Sequence, residues 1–181
     1  GQLTVECLLD EPEAKYCLCG SLQSPVVIGY IRVILNDVYP GDVWRALVSK
    51  EDRLMRDPES EYKVVRKACA NDPYCEEDIS FVWRAMWPFW DRDILERRWT
   101  FPLSNDEGIA LVMRSVEDEA LLPIREDRVR AIVHKCGYLL RPLHNSSGQP
   151  GLELSVCQQV DLGGLCPDWA QEVLTRWAVN R

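Results

Sequence analysis

The feature that most constrains this chain is a succession of short β-type segments, each bounded by turn residues, with helical periodicity in only two places. Residues 2–9 and 16–22 read as a first pair across the turn Glu11-Pro12-Glu13, and residues 26–36 as a third strand. Pro40 then opens a predicted helix reaching to about residue 49; proline fits a first helical turn, and Val43, Ala46 and Leu47 recur on one face. Residues 50–60 are polar and read as a loop or a short irregular helix. Strands resume at 61–69, 78–86, 92–101, 107–117, 128–136, 138–144 and 151–161. Gly163 and Gly164 follow, and Pro167 starts a terminal helix whose Ala170, Val173, Leu174, Trp177 and Ala178 make an apolar stripe.

Sequential strands joined by short turns imply an antiparallel sheet. A single amphipathic helix at the end of such a sheet has to cover its concave face, because both apolar surfaces need a partner. The expected fold class is therefore α+β, a sheet gripping one helix. The 181 residues fit one domain spanning 1–181, with no internal repeat and no linker.

Charge and composition exclude several classes. The formal net charge is −8 and the isoelectric point about 4.9, which argues against nucleic acid as a partner and against docking on anionic membranes by charge alone. No apolar run reaches the roughly 18 residues needed to cross a bilayer, and no signal peptide is visible at Gly1-Gln2-Leu3. Eight cysteines suggest a disulfide framework by count. Cys7, Cys17, Cys19, Cys69, Cys136 and Cys157, however, fall inside strand-like runs, where a free thiol acts as a small buried hydrophobe. The expectation is reduced cysteines in the cytoplasm, with Asn145-Ser146-Ser147 serving as a turn.

A family resemblance enters at Trp87-Pro88-Phe89-Trp90-Asp91-Arg92-Asp93, which resembles the start of a central strand in the START lipid-transfer family. Arg114-Ser115-Val116-Glu117, then Val129-Arg130-Ala131 leading to Arg141-Pro142-Leu143, and finally Gln159 to Gly164 with Pro167-Asp168-Trp169, resemble the family in order and spacing. The resemblance implies a helix-grip fold: a curved antiparallel sheet around an internal cavity closed by the C-terminal helix. It implies a lipid, whether phospholipid, sphingolipid or sterol, and no cofactor. The family's N-terminal helix is missing here, and the closing helix stops early at Arg181.

Such a site needs apolar walls and a polar group or two to orient a head. Burying about 400 Å² of hydrocarbon is worth on the order of 10 kcal/mol. Strand parity nominates Ile79, Phe81 and Trp83, then Leu111 and Met113, then Val156, Gln158 and Val160, with Leu174 and Trp177 as a roof. Without the resemblance these residues read first as ordinary core, and with it as a cavity wall. Gln158, if buried, needs a partner. Sterol-type members place an acidic residue before the Arg-Asp motif and an arginine six residues after its arginine. The arginine position is Arg98; the acidic position falls on Ile79, which slightly disfavours a sterol. Arg98 is thus expected to pair with another group such as Glu96 or a lipid phosphate, or to point outward in a surface ion pair like Arg97. Arg92-Asp93 and Arg130 read as structural ties. The apolar tip Leu121, Leu122 and Ile124 is the candidate gating loop.

Enzyme signatures are weak. His134 and His144 lack metal-ligand spacing, Cys17 and Cys19 are two apart, and no nucleophile elbow or phosphate loop occurs. The leading expectation is a non-enzymatic, cytoplasmic lipid carrier in transient contact with membranes. The alternative is a lipid-sensing or partner-binding module attached to other domains of a longer chain; an enzyme on the same fold ranks third.

Overall fold

The computed structural model describes residues 3–21, 24–52, 61–67, 76–85, 89–104, 107–144 and 148–164. Among these, ten strands form one sheet: β1 (Leu3–Asp10), β2 (Ala14–Ser21), β3 (Ser24–Asn36), β4 (Glu61–Lys67), β5 (Glu77–Trp83), β6 (Asp91–Pro102), β7 (Ile109–Ser115), β8 (Arg128–Arg130), β9 (Ile132–His144) and β10 (Pro150–Asp161). A helix, α1 (Pro40–Val48), lies between β3 and β4, and residues 50–52 are again helical. The strands run in the order β1-β2-β3-β10-β9-β7-β6-β5-β4, so the last strand joins the N-terminal meander to the central one. All neighbours on this path are antiparallel, and the sheet is curved and unclosed. Only the short β8 is parallel, laid along β6.

Local chemistry accounts for these elements. Glu11 and Ala14 exchange backbone hydrogen bonds across Pro12 and Glu13, a tight turn that sets the β1–β2 register. Helix α1 begins with proline in its first turn, after an extended Tyr39, and stops at an extended Ser49. Parity on β7 is clean: Leu111 and Met113 are buried while Val112 and Arg114 are exposed.

The sequence expectation is corrected at one place. The break between the predicted strands 128–136 and 138–144 does not fall at Gly137; β9 runs straight through it. The interruption comes at Ala131, whose amide bonds to the Asp93 carbonyl at 3.0 Å. Glycine mid-strand does not mark an end here, and a Cβ on Gly137 would make an ordinary contact 3.5 Å from the Leu111 carbonyl. The predicted terminal helix, with Leu174 and Trp177, and the turn at Asn145-Ser146-Ser147 lie outside the described residues.

Gly108 is the glycine the fold most needs. Its φ is +132°, and a Cβ there would stand 1.9 Å from the Leu140 carbonyl oxygen. Gly148 also has positive φ, at +77°, but nothing lies within 4 Å. Gly108→Ala is expected to cost at least about 2 kcal/mol in urea unfolding, and Gly148→Ala only about 1 kcal/mol. Equal costs at the two positions would contradict the packing described for Gly108.

Candidate functional site

Direct cross-strand partners share a face of the sheet, so the register decides which predicted residues meet. On β5 and β6, Ile79 pairs with Glu96, Phe81 with Ile94 and Trp83 with Arg92. On β6 and β7, Arg98 pairs with Met113 and Thr100 with Leu111. Met113 and Leu111 pair with Cys136 and Tyr138 of β9, which in turn pair with Gln158 and Val156 of β10. Val160 follows by alternation and packs with Phe81 and Cys136 around Ile94, Ala131 and Val133. Ile79, Phe81, Trp83, Arg98, Leu111, Met113, Val156, Gln158 and Val160 therefore lie on one face, hereafter the inner face. Ile79, Leu111, Met113 and Val156 are buried; Phe81, Trp83, Gln158 and Val160 are half-buried.

The inner face holds Arg92, Glu96 and Thr100 of β6, all buried, and two further polar stations. At the first, Arg98 is ion-paired with Glu77, donates to the Tyr62 hydroxyl at 3.3 Å and reaches the Val48 carbonyl at 3.5 Å. The Val48 contact also sets the C-terminal end of α1 over this face. The side chains of Arg98 and Glu77 are only 7% and 13% exposed, so this is no surface ion pair. Gln158 forms the second station, donating to the Tyr138 hydroxyl at 3.1 Å.

Arg98 thus points inward, and its acidic partner stands two residues before the expected position, on the same strand and the same face. Ile79 packs as floor beside the pair. Burial works against the Glu77 charge, but hydrogen bonds from Arg98 and Lys67 outweigh it and hold the carboxyl below its ordinary range. Sequence reasoning missed Glu77 because the spacing was counted through the β5–β6 connection, whose length the sequence leaves open. Parity was the signal that could have found it, since Glu77, Ile79 and Phe81 alternate onto one face.

The opposite face is held by structural pairs. Asp93, 2% exposed, accepts from Arg130 at 2.7 Å, and Arg130 also donates to the Leu122 and Pro123 carbonyls. Arg92, which pairs with Trp83 and so belongs to the inner face, donates to the Leu162 carbonyl at 3.2 Å. These are the expected ties between strand and loop. Arg97 lies outward and bonds Asp78, which Arg66 also meets. The segment 116–127 is ordered by Asp118, which accepts from the Ala120 and Leu121 amides. Leu121 and Leu122 are half-buried, whereas Ile124 is 69% exposed. His134 and His144 are both exposed on β9.

Comparison with solved structures places this architecture. Over 97% of its length the chain superposes on 68% of human STARD10 with a TM-score of 0.80 at 18% identity. The human StarD13 lipid transfer and protein localization domain gives a TM-score of 0.74 at 22% identity, covering 97% of this chain and 83% of that one. The chain has the START fold. A bacterial STAR-related lipid transfer protein fragment from Xanthomonas axonopodis agrees at a TM-score of 0.69 and 17% identity, over 94% of this chain and 89% of its own. No family model and no curated protein sequence matches the chain. The START-type expectation from residues 87–169 is thus met at the level of fold.

The Glu77–Arg98 pair makes a pH prediction. A carboxyl depressed in the folded state contributes stability that is present above its unfolded value, about 4.3 for Glu, and is lost as pH falls through the folded value. Removing the cation in Arg98→Met leaves burial opposed by Lys67 alone, so the Glu77 titration, followed by carboxyl NMR, is expected to move upward. The same change is expected to cost about 3 kcal/mol near neutral pH, and Glu77→Gln added to it should restore part of that loss. A titration unchanged by Arg98→Met would remove Arg98 as the partner.

Proposed function

We propose that this START-fold chain binds one hydrophobic lipid in a chamber between the inner face and the terminal helix, and carries it between membranes as a cytoplasmic, non-enzymatic protein. The observation that carries the reading is the common face of the nine residues just described. That face sets apolar side chains beside the polar stations at Arg98 and Gln158, the combination a lipid tail and a small head group require. StarD13 contributes a lipid transfer and protein localization domain and the Xanthomonas protein is a STAR-related lipid transfer protein, which favours the same class here. Leu174 and Trp177 roof the chamber in this reading, and the loop with Leu121, Leu122 and Ile124 is one gate. Among the described residues no helix is long and apolar enough to cross a membrane, which accords with transient contact at the surface.

The first polar station narrows the ligand. Arg98 already has a buried anionic partner in Glu77, which Lys67 shares from the rim, so an anionic phosphate would have to compete with that carboxylate for the guanidinium. A hydroxyl can instead donate to the carboxylate and accept from the guanidinium without adding charge. With an acid present at Glu77, the argument against a sterol drawn from Ile79 falls away. The proposed ligand is a lipid with a neutral hydroxyl head, a sterol or a ceramide-like sphingolipid.

The test uses neighbouring residues that face opposite ways. Met113→Trp fills the proposed chamber floor, whereas Val112→Trp sits on the opposite face, where Val112 is exposed. After incubation with liposomes containing phosphatidylcholine, cholesterol and ceramide, native mass spectrometry is expected to show one bound lipid per chain in the parent protein and in Val112→Trp. Met113→Trp is expected to lose at least about tenfold in bound lipid with little loss of stability, because a hollow interior accepts the ring. A solid core would instead show a destabilisation of about 1–3 kcal/mol. That result, or an absence of bound lipid together with no transfer between vesicles, would overturn the proposal.

A further inference from the structure

The free thiols do not all behave as the buried hydrophobes expected from the strand pattern. Cys17 is buried at 3% exposure, but Cys7 is exposed on β1, at one end of the sheet order. The two are directly opposed across the β1–β2 ladder, and their sulfurs stand 2.7 Å apart. Opposed residues on antiparallel strands have Cβ atoms about 4.5–5.5 Å apart, close to the spacing of about 3.5–4.5 Å that a disulfide spans. Closing the bond thus requires little movement of either strand. Cys7 is followed at once by the register shift between Cys7 and Leu9, where an edge strand can give.

We propose that Cys7 and Cys17 form a thiol–disulfide exchange site that takes a small disulfide of the glutathione type and closes into a cross-strand clip on the sheet edge. The division of labour follows from exposure. The Cys7 thiolate attacks one sulfur of the glutathione disulfide, making a mixed disulfide and expelling one glutathione thiolate, which takes up a proton. The Cys17 sulfur then attacks the Cys7 sulfur, its proton passing to the second departing glutathione. Two protein thiols are oxidised, one disulfide is reduced to two thiols, and no other reactant is needed. Cys17 is suited to the second step rather than the first: its hydrogen bond to Cys7, reinforced by burial, pushes its thiol up to about 11. Lys15, bonded to Asp10 at 3.3 Å on the same hairpin, supplies a positive charge beside both sulfurs. The row continues inward from Cys17 through Tyr30 to Cys157, whose thiol burial pushes up, so the exposed end of the row is where reagent enters.

The test treats the reduced chain with glutathione disulfide, alkylates remaining thiols after denaturation, and maps peptides without reduction. The expected result is a Cys7–Cys17 linked peptide and the loss of two alkylatable thiols. Cys7→Ser, a change at an exposed position, is expected to abolish the link and lower glutathione uptake at Cys17 at least about tenfold. Cys157→Ser is expected to leave the link intact. A glutathione adduct persisting on Cys7 with Cys17 free, a link from either residue to another cysteine, or no reaction at all would each overturn the proposal.

Discussion

Everything in this fold leans on the burial of charge along β6. Arg92, Asp93, Glu96 and Arg98 are each nearly inaccessible to water on a strand covered on both faces. Desolvating four ionisable side chains on one strand would be ruinous without partners, because the loss of hydration exceeds what an unpaired charge recovers. Arg92, Asp93 and Arg98 draw theirs from different parts of the chain: the Leu162 carbonyl after β10, Arg130 on β8, and Glu77 on β5. The strand is therefore a ledger of long-range contacts. Its neighbours cannot slip by one residue without sending Arg98 outward and Arg97 inward.

That dependence explains what was legible in the sequence. The order of the strands along the chain was readable because turn residues punctuate an alternating pattern, and parity within a strand was readable because its period is two. Ile79, Phe81 and Trp83 could be assigned together for that reason, as could Leu111 with Met113, and Val156 with Gln158 and Val160. That all three groups share one face is a matter of register between strands, which no single strand contains. The START resemblance supplied what parity could not, but only as far as the fold. The roof residues Leu174 and Trp177 rest on the sequence pattern alone.

The misplacement of the acidic position has the same origin. Counting residues works within a strand, where each step is fixed at about 3.3 Å, and fails across a connection, where a loop absorbs extra residues at little cost. Ile79 and Glu77 differ by two residues, so the error preserved the face and moved the charge by one pleat along it. The split at Gly137 was a different mistake. The strand passes through the glycine, and the break comes at Ala131, where the amide bonds across to the Asp93 carbonyl. Cys7 was misjudged because residue type was allowed to stand for position. An edge strand exposes what a central strand would bury, and a sequence does not announce which strands are edges.

An unclosed sheet has two ends to protect, since unpaired backbone groups invite another strand. Here the ends are treated differently. On β4 the protection is electrostatic: Glu61 draws in Arg84 and Arg128, and Arg66 and Lys67 tie across to Asp78 and Glu77. Since Glu77 also holds Arg98, that edge is mechanically joined to the first polar station of the inner face. At the β1 end, among the described residues, Lys15 pairs with Asp10 across the hairpin at an exposed position, where solvent screens the two charges. The β1 register follows its ladder to β2, and two thiols meet across that ladder. The edge coupled to the proposed head-group station is thus secured by permanent charge, and the remote edge by a contact whose strength changes with oxidation. A chain built this way can stiffen its outer margin without altering the polarity of the inner face.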